Sequence, residues 1–431
     1  MHFYKKIDIF KKFPKINCIF SSNMVKCAYT VGLPNLPEKK IKAVIDGRTE
    51  TIMYINNDTL QPDKLDEILA LRPEGATEAP KAVDHLESRM KGALIGRFAG
   101  CMLGIPVEMY SVADMQAIAL ENGMAFPPVN YWTGTDNPTK IHYRVNKRTD
   151  YLLQNIDKVA VDDDITYVIL NLLLLEKYGK NYTLDDIAQI WKDILPYACT
   201  AEEEALAQLQ AGTKPEWAAN FNNYVEWIGA AIRADAFGYA APGDPETAAK
   251  MSYNDAFLTH RKNGIYGEMF VAAMIACAAV TDNMEDIIRG GLAQIPATSR
   301  LYDKIDRVIK DYNNGVTREE AYARVKEEYN IKDSDSWLHT ISNAAIVAIG
   351  LLYGENDFGK SICAAVEVGY DTDCNGATVG SVMGMRNGTA GIGEEWTKPV
   401  NGKLETTIFG ISEISIDEAA EKTMKHLPAK Q

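Results

Sequence analysis

Between about residues 86 and 391 the chain is dominated by runs of Ala, Leu, Ile and Met at helical spacing. Residues 90–103, 166–178, 184–195, 266–280, 338–353 and 358–368 reach or approach three turns each, with little β-branched alternation, and each stretch predicts a helix. Several are apolar on most faces, as expected of helices buried inside a large bundle. Residues 29–85 are mixed. Alternating apolar positions at 41–45 and 51–54, separated by Asp46-Gly47, predict a small hairpin or loose extension, and the Pro-interrupted stretch 76–81 reads as a linker. Near the end, 406–416 predicts a short strand before a last amphipathic helix over 417–426. The expected fold class is all-α, a compact orthogonal multi-helix bundle over residues 86–431. A small extension over 29–85 and a basic leader over 1–28 precede it.

Charge and cysteine usage narrow the picture. A net charge of −14 argues against a nucleic-acid partner, which normally needs a basic face, while leaving clustered carboxylates free to attract metal cations. The seven cysteines are odd in number and scattered without a CxxC pair, so neither a disulfide framework nor a zinc site is expected, and a cytoplasmic location follows. The longest apolar stretch, 264–280, is interrupted by Glu268 and too short to span a bilayer, so no membrane partner is expected. In the leader, Lys5, Lys6, Lys11, Lys12, Lys15 and Lys26 face only Asp8, but no unbroken apolar run follows as a secretory signal requires. It reads either as another targeting segment or as a disordered leader upstream of a start at Met24.

Three features carry candidate chemistry. Asp162, Asp163 and Asp164 stand directly ahead of the apolar stretch 167–178. One aspartate suffices as a helix N-cap. Three repel one another wherever water is restricted, a cost that a divalent cation removes, and Mg²⁺ takes oxygen ligands of this kind. Cap and metal site remain equally good readings of the triplet alone. The second feature is Asp371-Thr372-Asp373, where alternate residues of an extended turn can grip one ion together. The helix behind it carries Gly376, Gly380 and Gly384, a smooth face that admits another backbone closely. The third is a helix studded with small residues (Gly92, Gly96, Gly100, Gly104) that ends near Pro106 and is followed by Glu108. Taken alone, Glu108 reads as a solvated carboxylate.

Together and in this order, the Gly-rich helix with Gly-x-Pro-x-Glu, the Asp triplet opening a helix, and Gly-x-Asp-Thr-Asp opening a second Gly-rich helix resemble the ADP-ribosylglycohydrolase family. That resemblance covers roughly residues 86–391. It implies an all-α domain with two Mg²⁺ ions in a central cleft, Mn²⁺ being the alternative, that cleaves the C1″ glycosidic bond of ADP-ribosylated protein or of a related small ADP-ribosyl substrate. By motif it assigns Asp162, Asp163, Asp164, Asp371 and Asp373 to the metals and Glu108 to catalysis. It assigns Gly229, Ala230, Arg233, His260, Asn263, Gly264, Tyr266 and Gly267 to substrate contact. Without the resemblance, a lone histidine such as His260 reads as a packing residue, and Trp132, Trp217, Trp227 and Tyr266 read as packing before they read as adenine stackers. The chain departs from the family pattern at Asp162 and Ile165, each in place of Thr, and at Cys374, in place of a ligand Thr. Cys101 stands where many members carry Asp. A thiol suits Mg²⁺ poorly. Two other classes fit the same features: a catalytically silent ADP-ribose-binding relative, and a two-metal hydrolase of another nucleoside or phosphoester.

Overall fold

Contacts divide the chain into two units between Gln61 and Pro62. A computed structural model describes residues 39–45, 48–54, 57–75, 81–400 and 402–426; the leader over 1–28 and most of the linker over 76–81 fall outside them. In the first unit, strands β1 (Lys39–Ile45) and β2 (Arg48–Tyr54) pair antiparallel with Ile45 opposite Arg48, the hairpin that the alternation predicts. The second unit is all-α. Its strands are two- and three-residue pieces, β3 (Ile141–His142) with β4 (Asn146–Lys147) and β5 (Lys403–Glu405) with β6 (Glu413–Ser415).

The helices that position the site are α1 (Leu65–Ala70), α2 (Leu86–Gly104), α3 (Asp163–Tyr178), α4 (Pro245–Thr259), α5 (Asn263–Ala278), α6 (Thr340–Tyr353), α7 (Phe358–Val366) and α8 (Thr372–Asn387). The short α1 and its flanks are tied into the helical unit: Tyr253 Oη donates to Asp63 O at 3.0 Å and Ala297 N donates to Leu71 O at 2.8 Å. Helices α5, α6 and α8 are buried on nearly every face, as their unbroken apolar and small-residue composition requires. The segment Leu86–Val107 is long and apolar enough to cross a membrane, but 89% of its most apolar window is buried among other helices, which marks it as a core helix.

Helices α2 and α8 run antiparallel in backbone contact, and their glycines alone allow it. Gly92 packs on Gly384, Gly96 on Gly380 and Gly100 on Gly376, while Gly104 meets the backbone of Thr372 and Asp373. A Cβ built on Gly96 would lie 2.1 Å from Gly380 O, and one on Gly380 would lie 2.0 Å from Gly96 O, well inside van der Waals contact. Two four-residue glycine spacings thus interlock turn by turn, each supplying the smooth face the other needs. The last pairing has a chemical consequence, because it seats the C-terminal end of α2 on the first turn of α8, where Asp373 lies. Thr372 Oγ1 fastens the junction by donating to Gly104 O at 2.9 Å. Thr372→Val keeps the shape and loses this bond, and urea denaturation should show a loss of about 1 kcal/mol.

Candidate metal centre

Three chain segments converge at that junction. From the first, Pro106 turns the chain out of α2 through the short helix Ile105–Val107, and Glu108 follows in extended conformation. Arg148, fully buried, secures this turn: its Nη1 donates to Ile105 O at 2.6 Å and its Nη2 to Glu108 Oε2 at 3.1 Å. The second segment is the start of α3, where Asp162 is the N-cap. Its Oδ1 accepts from Asp164 N at 2.9 Å, and its Oδ2 accepts from His142 Nε2 at 2.6 Å. Asp162 serves as the cap and, like Asp164, is fully buried, so the two readings of the triplet meet in one residue. The third segment is the turn into α8. Gly369 and Tyr370 both adopt left-handed backbone, with φ of +83° and +68°, so that the chain bends sharply before Asp371. For tyrosine this conformation is unfavourable, and it is held by Tyr370 Oη donating to Tyr329 O. Asp371 and Asp373 sit on the N-terminal turn of α8 rather than along an extended strand, and Asp371 N donates to Asn343 Oδ1 at 3.3 Å.

Donor atoms fall into three mutually close groups among the described residues, each with all separations within 4.8 Å: Cys101, Asp162 and Asp164; Glu108, His142 and Asp373; Asp164, Asp373 and Cys374. Asp164 and Asp373 each belong to two groups and link the set. Asp163 and Asp371 belong to none of them, although both feel the field of the cluster. Burial, then Asp162 and Asp164, push the Asp163 carboxyl well above the usual carboxylate range. Burial, then Glu108, push Asp371 up to about 7. Asp164 and Asp373 are likewise held well above that range, by burial and then, for Asp373, by Glu108 and Asp371. Arg97 opposes the effect at Asp164. Fully buried in α2, it spans Asp164 Oδ1 (2.6 Å) and Asp235 Oδ2 (2.8 Å) and also donates to Ile232 O.

Two features fit this cluster to a divalent cation. Asp164 Oδ2 and Asp373 Oδ1 are buried without a hydrogen-bond partner, an arrangement that costs free energy unless something else satisfies them. Several carboxyls pushed toward their neutral form by burial, and then by one another's charge, are also what an added cation would reverse. The cluster can therefore hold a metal ion.

His142, Arg97 and Arg148 complete the centre, and none stands out in the sequence. His142 lies on the β3–β4 hairpin, where Ile141, Tyr143 and Val145 alternate with polar residues, a strand pattern that marks no chemistry, and it reaches the centre only because that hairpin folds back over it. Burial resists charging its ring, but Asp162 and Glu108 hold it protonated, up to about 10. The one available signal for Arg97 is a charge alone in a stretch of small and apolar residues.

The expected substrate contacts are placed in a second buried network. Gly229, Ala230 and Arg233 lie on the short helix Ile228–Arg233. Arg233 donates to Asp255 Oδ2 at 2.5 Å and to Thr259 Oγ1 at 3.0 Å, and also pairs with Glu202. His260 Nδ1 bonds Thr259 Oγ1 at 2.7 Å, and burial, aided by Arg233 and Arg261, keeps its ring neutral. Asn263 Nδ2 donates to Glu226 Oε1 at 2.7 Å, Tyr266 Oη donates to Pro62 O at 2.5 Å, and Gly264 and Gly267 pack on Val225 O and Thr340 Oγ1. Arg233, His260, Asn263 and Tyr266 are fully buried, with these bonds already made. The network adjoins the metal centre through Arg97 and Ile232 O but shares no residue with its donor groups.

A helical unit whose two glycine-spaced helices bring buried carboxylates into one linked donor set defines a class of helical protein with a buried centre able to hold a metal. The model of one family, described as ADP-ribosylglycohydrolase, matches residues 82–426, and the chain belongs to that family. Its members are glycohydrolases acting on ADP-ribosyl compounds. No curated protein matches the chain. Among solved structures it is similar to one titled "ADP-ribosylglycohydrolase-related protein complex", at 16% identity over 79% of this chain and 97% of that one, with a TM-score of 0.49.

Proposed function

We propose that this protein is a divalent-cation-dependent hydrolase of the C1″ glycosidic bond in ADP-ribosylated protein or a small ADP-ribosyl compound. The observation that carries this reading is the pair of unpartnered buried oxygens, Asp164 Oδ2 and Asp373 Oδ1, in the two carboxylates that link the three donor groups. Asp162, Asp164 and Asp373, with Asp163 and Asp371 beside them, would hold the cation, Mg²⁺ or Mn²⁺ by the family resemblance. Such an ion supplies charge stabilisation and orientation for ribose hydroxyls and water.

The chain's own contribution centres on Glu108. Despite partial burial, His142 and then Arg148 hold its carboxyl ionised, down to about 2. Glu108 is about 20% exposed at the side chain, so it can meet both solvent and a bound ribose. The ionised carboxylate can orient a water by accepting its hydrogen bond, and takes its proton only as the water oxygen bonds C1″, which makes that proton acidic, and the C1″ bond to the leaving atom breaks; the proton then passes to the leaving group. Arg148 fixes the carboxylate in place, and His142 couples it to Asp162. The cysteines Cys101, Cys199, Cys363 and Cys374 are unbridged, in keeping with a cytoplasmic site of action.

The test is cation-dependent release of ADP-ribose from arginine-, serine- and O-acetyl-linked substrates. Glu108→Gln should lower kcat by about 100-fold or more with a smaller change in KM. Full activity in that variant would remove Glu108 from the mechanism. No release from any linkage, with ADP-ribose binding intact by calorimetry, would replace the hydrolase reading with a binding role.

A further inference from the structure

Each of the three donor groups contains one donor that is not oxygen: Cys101 in the first, His142 in the second, Cys374 in the third. An oxygen-only site suits Mg²⁺ and Mn²⁺, whereas imidazole and thiolate donors suit iron, cobalt and zinc. Cys374 differs from Cys101 in what it touches. Cys101 Sγ donates its proton to Asp162 Oδ1 at 3.3 Å, a bond that keeps it a thiol. Cys374, about 5% exposed on the first turn of α8, lies against Asp164 and Asp373, the residues that present the two unpartnered oxygens. One carboxylate oxygen of each and the Cys374 sulfur lie within 4.8 Å of one another, and the Cys374 thiol is shared between Asp164 and Asp371 in the metal-free protein. From this geometry we infer, resting on the metal-dependent reading above, that Asp164, Asp373 and Cys374 form a mixed oxygen–sulfur site. Its ion is a thiolate-tolerant one of the Fe²⁺, Co²⁺ or Zn²⁺ kind, held in preference to Mg²⁺.

On binding, the Cys374 sulfur bonds the metal and its proton leaves to solvent, as happens at a coordinated thiol.

The experiment uses the full chain, stripped with chelator and titrated with Co²⁺ as the probe. The wild type should develop an intense near-ultraviolet sulfur-to-cobalt absorption, and Zn²⁺ should displace it at far lower concentration than Mg²⁺. Cys374→Ser should abolish the band and shrink the Zn²⁺-over-Mg²⁺ preference by about tenfold or more, because the hydroxyl favours the harder ion. Cys101→Ser should retain the band. Wild-type Co²⁺ binding without the band, or a band lost in Cys101→Ser instead, would overturn the assignment. So would a Zn²⁺-over-Mg²⁺ preference unchanged in Cys374→Ser. Circular dichroism confirms that each variant is folded before titration. The readout is independent of turnover: a protein that shows the band but releases no ADP-ribose keeps this site and loses the proposed hydrolase activity, and the reverse pattern does the opposite.

Discussion

Asp373→Asn should make the metal-free protein more stable and at the same time remove its response to metal. Asp373 is 3% exposed and one of its oxygens has no partner, while burial and then Glu108, Asp371, Asp162 and Asp164 hold its carboxyl well above the ordinary range. The sign follows from proton linkage. A carboxyl whose folded-state pKa is raised binds more protons folded than unfolded, so stability falls as pH rises above the ordinary value of 3.8. Asparagine is neutral throughout and removes that loss. In chelator at neutral pH the variant should therefore melt a few degrees higher than the wild type, and the difference should close as the pH approaches 4. With divalent metal present the order reverses. The wild type is stabilised by the bound ion, as any ligand of the folded state stabilises it, and the variant is not. Cation-dependent hydrolysis should fall by more than about 100-fold, beyond what loss of a supporting partner costs a metal site. Equal melting of the two proteins in chelator and in metal would show that the cluster holds no ion.

The second large effect is mechanical. Gly380→Ala should destabilise the protein by at least about 4 kcal/mol, although alanine favours a helix over glycine by about 1 kcal/mol. The new Cβ would fall 2.0 Å from Gly96 O and 2.6 Å from Gly96 C, and backbone cannot rotate away as a side chain can. Relief comes only by parting α2 from α8, which exceeds the cost of ordinary overpacking and forfeits the contacts along both helices. The same movement draws Gly104 away from Thr372 and Asp373, so metal affinity should fall with stability. Gly350→Ala in α6 is the control: its Cβ would meet neighbours at 3.1–3.3 Å, two of them methyl groups, and the change should stay within about 1 kcal/mol. Thermal and urea denaturation of both variants separate the cases.

Several parts of the centre can be read from the chain because each breaks a local rule. Consecutive aspartates before an apolar helix exceed what a cap needs, and glycine every fourth residue in a helix interior carries a propensity cost that only close packing offsets. Asp162 shows where such reading stops. In the structure it caps α3 and also joins the donor set, two roles that the sequence presents as alternatives. Asp163 and Asp371 look equivalent to their neighbours in the chain, yet neither belongs to the groups of close donors, a placement that only the fold decides.

Local pattern is thus enough to determine that this is an all-α protein, where its most apolar helices lie, which two helices carry glycine faces, and where surplus carboxylates stand; it does not single out less apolar helices such as α4. Those properties depend on side-chain volume, polarity and spacing over a few residues. Partnership was decided only by the tertiary structure. The interlocking of α2 with α8 carries Glu108 to Asp373 across more than two hundred residues of chain, and a short two-strand hairpin delivers His142 to Asp162. Arg233 and His260 are drawn instead into a buried network with Glu202, Asp255 and Glu268. Which charges meet is a matter of long-range packing, and nothing in the spacing of a single segment encodes it.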